Sequence, residues 1–382
     1  MAVAAEHFES GSTRLTALDA LRGVIMIVMA LDHANLFIAR QHPRPEMWTG
    51  PLPVYGSTLA FFTRFVTHLA APGFFFLMGV SMVLFADSRR KLGWTMGAIV
   101  RHLIARGLLL ILLQFWVEDP AWSLASAGRP MLPGTDGPVY VGVLYGLGAA
   151  MIVGSLLLQA GTGWLLGISA ASVLATQVLI PVAIRLYIPV APGLRLLLVP
   201  GQTANILVYY PVIPWLGLMG FGLVFGRWVL QDRDRAYRRA ALLGLVFLAF
   251  FVGVRAAGGW GTIRLAPGPG WMAFLSVVKY PPSLTFIFLT LGADLVLLAA
   301  LARVSGRAGF HPLLVFGSSP LFFYVAHLYL YGVLGLTFGP RGTGLGPMYL
   351  LWLAGLVILY PLCWAFSRFK QQRPSDSLWR FL

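Results

Sequence analysis

Cysteine is almost missing. Cys363 stands alone in 382 residues, which excludes an intramolecular disulfide and any cysteine-based metal site. Charge is scarce as well: only 11% of residues are Asp, Glu, Lys or Arg, where soluble domains carry about 25%. Several sequence signatures are lacking too. No GxxxxGK[ST] phosphate loop, HExxH or GxSxG occurs, so nothing points to a hydrolytic ATPase or a zinc enzyme, and no metal site is expected. Acidic residues number 13 against 28 Lys and Arg, giving a formal charge of +15. That excess is spread over several loops and forms no single stripe. It therefore reads as the positive-inside signature of a membrane protein, with no nucleic-acid partner.

What the chain has is apolar sequence: 58% hydrophobic residues and a mean hydropathy of +0.79. Runs near the length of about 20 residues needed to cross a bilayer fall at roughly 17–38, 58–86, 101–117, 139–159, 163–185, 206–230, 240–257, 283–302, 313–336 and 347–367. The expected fold is therefore all-α, a polytopic bundle of about ten transmembrane helices. Residues 1–16 form a cytosolic tail, 17–367 one transmembrane unit and 368–382 a basic cytosolic tail. Arg89, Arg90, Lys91, Arg101 and Arg106 cluster in one connection, and Arg227, Arg233, Arg235, Arg238 and Arg239 in another. Both lie on the side of the termini, which the positive-inside rule makes cytosolic.

The most informative segment is LDALRGVIMIVMALDHA, Leu18 to Ala34. It reads as a span yet carries Asp19, Arg22, Asp32 and His33. An ionisable group at a helix centre costs roughly 2.5–3.5 kcal/mol by insertion scales, and it persists where it faces protein or a water-filled cavity. At about 100° per residue, Arg22 and His33 fall within roughly 20° of each other on the helix wheel, and Asp19 within about 40° of His33. The rise of about 1.5 Å per residue puts His33 roughly 21 Å beyond Asp19, near the opposite surface.

A histidine there suits general acid–base work, since it titrates near neutral pH. Asp32 is a candidate to hold its tautomer, although adjacent residues point about 100° apart. Asp19 and Arg22 have ion-pair spacing, and Arg22 suits an anionic phosphate. In TRFVTHLAAPGFFFLMG, Arg64 and His68 share a face, and Pro72-Gly73 is expected to loosen the backbone. Lys279 in KYPPSL, Glu118 at the end of the third run and His327 within SSPLFFYVAHLYLYG complete the candidates. His42, His102 and His311 fall in loops or interfaces and read as bland.

Five segments, LDALRGVIMIVMALDHA, FFTRFVTHLAAPGFFFLMGVSM, YYPVIPWLGLMGFGLVFG, KYPPSLTFIFLTLG and SSPLFFYVAHLYLY, resemble in order a bacterial member of the heparan-alpha-glucosaminide N-acetyltransferase catalytic-domain family. The LDxLRG opening, with a histidine eleven residues after its arginine, is also similar to membrane O-acyltransferases, in which that histidine is taken as catalytic. The resemblance implies a multi-pass acyltransferase of an inner (cytoplasmic) membrane. An acetyl or other acyl group would pass from cytosolic acyl-CoA to an extracytoplasmic hydroxyl or amine of a glycan or small molecule. His33, with Asp32 and His68, is then expected as the catalytic group, as base or acyl carrier. Arg22 and Asp19 face acetyl-CoA, while Arg64, Lys279, His327 and Glu118 face the acceptor. In the family's lysosomal enzyme the catalytic histidine lies in the loop between the first two helices. His42 occupies a comparable loop here, in different, PRP-containing surroundings. The lipid bilayer is an expected partner, and a homodimer is left open. A transporter or lipid flippase is the competing class, because intramembrane charges and broken helices suit it as well.

Overall fold

In the computed structural model the described residues are 15–125, 138–186, 190–304, 307–374 and 377. Most of the N-terminal tail, the middle of the Glu118 to Pro138 loop and the last residues of the C-terminal tail lie outside them. The expected polytopic all-α architecture is what the chain adopts. Nine helices among the described residues are long and apolar enough to cross a membrane, and a tenth apolar helix is shorter.

Helix α1 (Thr16–Ala34) runs into a π-helical turn, Asn35–Ala39. Helix α2 (Thr58–Phe65) is capped by Ser57, whose Oγ accepts from the Ala60 amide at 3.1 Å, supplying one of the donors a helix start leaves open. The chain then tightens into a 3₁₀ turn, Val66–Leu69, before α3 (Ala70–Lys91). The interruption has a local cause. Pro72 has no N–H to give the carbonyl four residues back, so it sits in the first turn of α3, where that donor is not needed. Helix α4 (Met96–Leu113) passes through a π turn (Gln114–Glu118) into α5 (Asp119–Ala125).

A small sheet follows in sequence at the His33 end of the bundle. Strand β1 (Val139–Val141) precedes α6 (Val143–Leu157), α7 (Thr162–Leu186) and α8 (Pro192–Leu197). Strands β2 (Gly201–Gln202) and β3 (Ile206–Val208) then lead to α9 (Val212–Gln231) and α10 (Arg233–Ala257). The strand order is β1-β3-β2, with Val139 opposite Ile206 in the parallel pair and Gly201 opposite Val208 in the antiparallel one. The last helices are α11 (Trp271–Leu275), α12 (Leu284–Val304), α13 (His311–Ser318), α14 (Pro320–Thr337) and α15 (Leu345–Gln371).

Three expected spans differ in detail. The 206–230 run opens as strand β3, so its helix begins only at Val212. The 139–159 run opens as strand β1, so its helix has only 15 residues, about 22 Å at 1.5 Å per residue and short of a hydrocarbon core of about 30 Å. The 313–336 run is broken at Ser319, whose φ of −132° and ψ of 54° are non-helical. Pro320 disfavours the α conformation in the residue before it and starts the next helix instead.

Helices α1, α3, α9 and α12 form the interior. The outer helices α10 and α15 expose Leu242, Leu245, Phe250, Leu350 and Val357, a surface suited to lipid. Glycine sets the closest approaches. A Cβ at Gly222 would meet the Phe76 carbonyl oxygen and one at Gly79 the Met219 carbonyl oxygen, so α3 and α9 pack backbone to backbone. Gly23 against Leu313 and Gly317 against Asp19 do the same for α1 and α13.

Candidate active site

One face of α1 walls two cavities. The first, about 380 Å³ at the His33 end, is lined by Met29, Asp32, His33 and Leu36 of this segment. The second, about 300 Å³ at the other end, is lined by Arg22 and Met26. Positions 22, 26, 29, 33 and 36 step along one helical stripe. Phe74, Val143 and Tyr324 line both cavities and form the partition between them.

In the first cavity the charges are ordered around Arg64, which is 2% exposed. Its Nη1 donates to both oxygens of Asp32 at 2.8 Å. Its Nε and Nη2 donate to the two oxygens of Glu46 at 2.8 and 2.5 Å. Thr67 Oγ1 donates to Asp32 at 2.9 Å. Burial alone would raise the Glu46 carboxyl, but the Arg64 guanidinium and His68 outweigh it and hold Glu46 well below the usual carboxylate range. Arg64 is thus a clasp between two carboxylates. Although it lines the cavity, its donors are already committed.

His33 makes its hydrogen bond away from those charges. Its Nδ1 lies 2.6 Å from Nε2 of His327, and its ring meets Trp122 edge-on at 5.1 Å. Nε2 is the ring nitrogen left for the cavity. Asp32 is therefore the partner of Arg64 and not the group that orients His33. His42 reaches the same cavity from its loop, with Nε2 3.2 Å from Asp32 and 3.1 Å from Arg64 Nη1, and Nδ1 donating to the Pro43 carbonyl at 2.8 Å.

Lys279 arrives on the segment that pairs with the Glu46 loop. The backbone amides of Lys279 and Tyr280 both donate to the Glu46 carbonyl at 3.0 Å. Arg255 secures the preceding connection, its guanidinium donating to the carbonyls of Arg264, Ala273, Phe274 and Ser276. Lys279 is 4% exposed and lines the cavity. Burial and the neighbouring Arg64 push its ammonium down to about 8, against the pull of Asp32 and Glu46. Below that value it is a cation and above it a neutral amine. A small amine-acylating reagent should consequently label Lys279 with a midpoint near pH 8, against about 10.4 for an ordinary lysine. Peptide mapping across a pH series checks this.

Glu118 lies on the far wall, accepting from Trp122 Nε1 at 3.0 Å and from the Leu144 amide at 3.4 Å. His68 and His327 do not line either cavity. His68 sits behind Glu46, with Nε2 3.3 Å from Oε1 but misaligned for a hydrogen bond, between the rings of Phe65 and Phe286. His327 is fully buried behind His33.

The second cavity is apolar with a basic rim. Met26, Met78, Met82 and Met151 line it, with Arg22, Arg106 and Lys370 among its polar residues. Arg22 donates to Asp19 at 2.7 Å, to Ser81 Oγ at 3.0 Å and to the Gly317 carbonyl at 3.0 Å. The Nε of Arg106 is buried without a hydrogen-bond partner among the described residues.

Sequence reasoning set His42 aside as bland and missed Tyr324, Tyr140, Tyr209, Tyr210 and Tyr280, which line the first cavity with it, and Glu46, which holds Arg64 there. Glu46 and His42 sit in a loop with no periodicity to place them. The tyrosines read as ordinary aromatics.

The catalytic-domain model of heparan-alpha-glucosaminide N-acetyltransferase matches residues 14–257, more than half of the chain. The curated proteins contain no match to it. The matched region holds α1 to α10, and with them most of both cavity walls.

Proposed function

The chain belongs to the heparan-alpha-glucosaminide N-acetyltransferase catalytic family of membrane acyltransferases, and from that premise we propose that it transfers an acetyl group from cytosolic acetyl-CoA to an extracytoplasmic hydroxyl or amine, with His33 as general base. The observation that carries this reading is the pair of cavities set end to end along α1, meeting at Phe74, Val143 and Tyr324 with His33 on one side and Arg22 on the other.

The Arg22 end is the cytosolic one by the charge distribution, since Arg89, Arg90 and Lys91 close α3 there. Arg22, Arg106 and Lys370 are suited to the phosphates of the donor. The methionine-rich wall suits its flexible pantetheine arm, because Met side chains adapt to irregular shapes. The acceptor enters the first cavity between its tyrosines and the Asp32–Arg64–Glu46 clasp. His33 Nε2 takes the proton from the acceptor O–H or N–H, and the freed electron pair attacks the thioester carbonyl carbon. The C–S bond breaks, and the proton passes from the imidazolium to the leaving thiolate. The protonated Lys279 offers charge to the tetrahedral oxyanion. Because both substrates converge on the partition, the transfer is direct and needs no acylated histidine.

Acetyl-CoA binding tests the donor side. Acetyl-CoA should raise the melting temperature of the purified protein. Arg106→Ala should raise KM for acetyl-CoA about tenfold, the loss of one charge-assisted bond, with kcat little changed. A protein indifferent to acetyl-CoA but stabilised by a small solute would be a transporter instead.

A further inference from the structure

His327 touches neither cavity, yet it is the group His33 is bonded to. The two residues are 294 positions apart, and their rings stack with centroids 4.9 Å apart and planes 11° from parallel. The second bond of His327 decides the protonation pattern of the pair. Its Nδ1 is 2.9 Å from the carbonyl oxygen of Phe323, one turn back on α14. A carbonyl only accepts, so Nδ1 carries the hydrogen, and in a neutral imidazole Nε2 is then a bare acceptor. A bare Nε2 at 2.6 Å requires His33 Nδ1 to be the donor, which leaves Nε2 of His33 unprotonated. Neither partner of His327 supplies a negative charge, and its neighbours are the rings of Phe323, Tyr324 and Tyr331. The neutral form is the one this pocket accommodates.

We propose that His327 is a positioning residue that locks His33 in the tautomer whose unprotonated Nε2 faces the first cavity. The effect on turnover rests on the acyltransfer reading; the tautomer itself does not. In catalytic triads a carboxylate holds the base. Here the neighbouring carboxylate, Asp32, is held by Arg64 and Thr67, and the orienting acceptor is a second imidazole fixed by a backbone carbonyl. The arrangement keeps a proton acceptor aimed at the cavity with no fixed negative charge against it.

The test uses full-length protein in nanodiscs, with histidine ring nitrogens labelled for NMR. His33→Ala identifies the His33 signals. Wild type should show a bare Nε2 and a protonated Nδ1 on His33, and a wild-type His33 bearing its hydrogen on Nε2 overturns the proposal. His327→Phe, which cannot accept, should shift His33 toward the Nε2-protonated form. It should also lower kcat about a hundredfold, within the usual range for a general base, with both KM values unchanged. His327→Gln, whose Oε1 can replace the Nε2 acceptor, should restore the tautomer and most of kcat. An unchanged tautomer in His327→Phe, or a raised KM with kcat intact, overturns the positioning role. If wild type transfers no acetyl group, the acyltransfer reading falls, while the NMR signature still decides the tautomer.

Discussion

On the proposed reading, His33→Ala is expected to lower kcat for acetyl transfer by about 10²–10⁴-fold, the contribution of a well-placed general base, while the protein stays folded and membrane-inserted. The two nearest titratable groups on its own side of the cavity are held by other partners. Asp32 has both oxygens on Arg64. His42 has Nδ1 on the Pro43 carbonyl and Nε2 between the Asp32 carboxylate and the Arg64 guanidinium, so its ring is held within the clasp. The structural cost is moderate: the substitution widens a cavity that His33 lines and leaves the buried His327 Nε2 without its partner, about 1–3 kcal/mol. Turnover of purified protein with acetyl-CoA and an acceptor panel, run beside a melting curve, checks this. Full activity in a folded His33→Ala protein sinks the assignment, and loss at His42→Ala with His33→Ala tolerated moves the base to the loop.

The largest loss of stability is expected at Arg64→Met. Among the described residues Arg64 is the one cation bonded to both Asp32 and Glu46, and Arg64 and Glu46 are each 2% exposed. Removing one partner of a buried ion pair costs about 3–5 kcal/mol, because the remaining charge is left without compensation. Here two carboxylates are left, against which the nearby Lys279 offers only partial relief. The Glu46 loop should then detach from α2 and carry with it the Lys279 segment bonded to the Glu46 carbonyl. The triple variant Arg64→Met, Asp32→Asn, Glu46→Gln should recover most of the melting temperature, since it removes the clasp without stranding a charge. A single variant as stable as wild type would show that water reaches these carboxylates.

The fold was legible wherever one physical period governed a stretch. Apolar length alone located the spans, and helical spacing alone put Asp19, Arg22 and His33 on one stripe. Reading failed where the backbone changed rule inside an apolar run. Val139–Val141 is as hydrophobic as the helix after it, and only pairing with β3 makes it a strand. Pro72 marked a real break, whereas Pro320 broke a run read as one continuous span; in both cases the effect fell on the residues before the proline. The site was half legible. Intrahelical spacing found Arg64 and His33, but the groups that decide their behaviour come from distant chain. Glu46 reaches Arg64 from an irregular loop, and His327 reaches His33 across most of the sequence. Nothing in a one-dimensional pattern distinguishes a histidine that meets substrate from one that stands behind it.

The thin partition of Phe74, Val143 and Tyr324 has an electrical consequence. Where water fills the space on either side, the membrane voltage drops mostly across those three side chains instead of across a full bilayer. Moving one elementary charge through such a field costs about 2.3 kcal/mol per 100 mV. In the proposed reaction an acyl group goes outward while the acceptor's proton goes inward by way of His33, so an acylium equivalent is exchanged for a proton and no net charge crosses. The phosphates of the donor stay at the Arg22 end throughout. A bacterium or an organelle can therefore change its membrane potential without changing the driving force of the reaction. Had the thiolate drawn its proton from the cytosol, every turnover would have carried current.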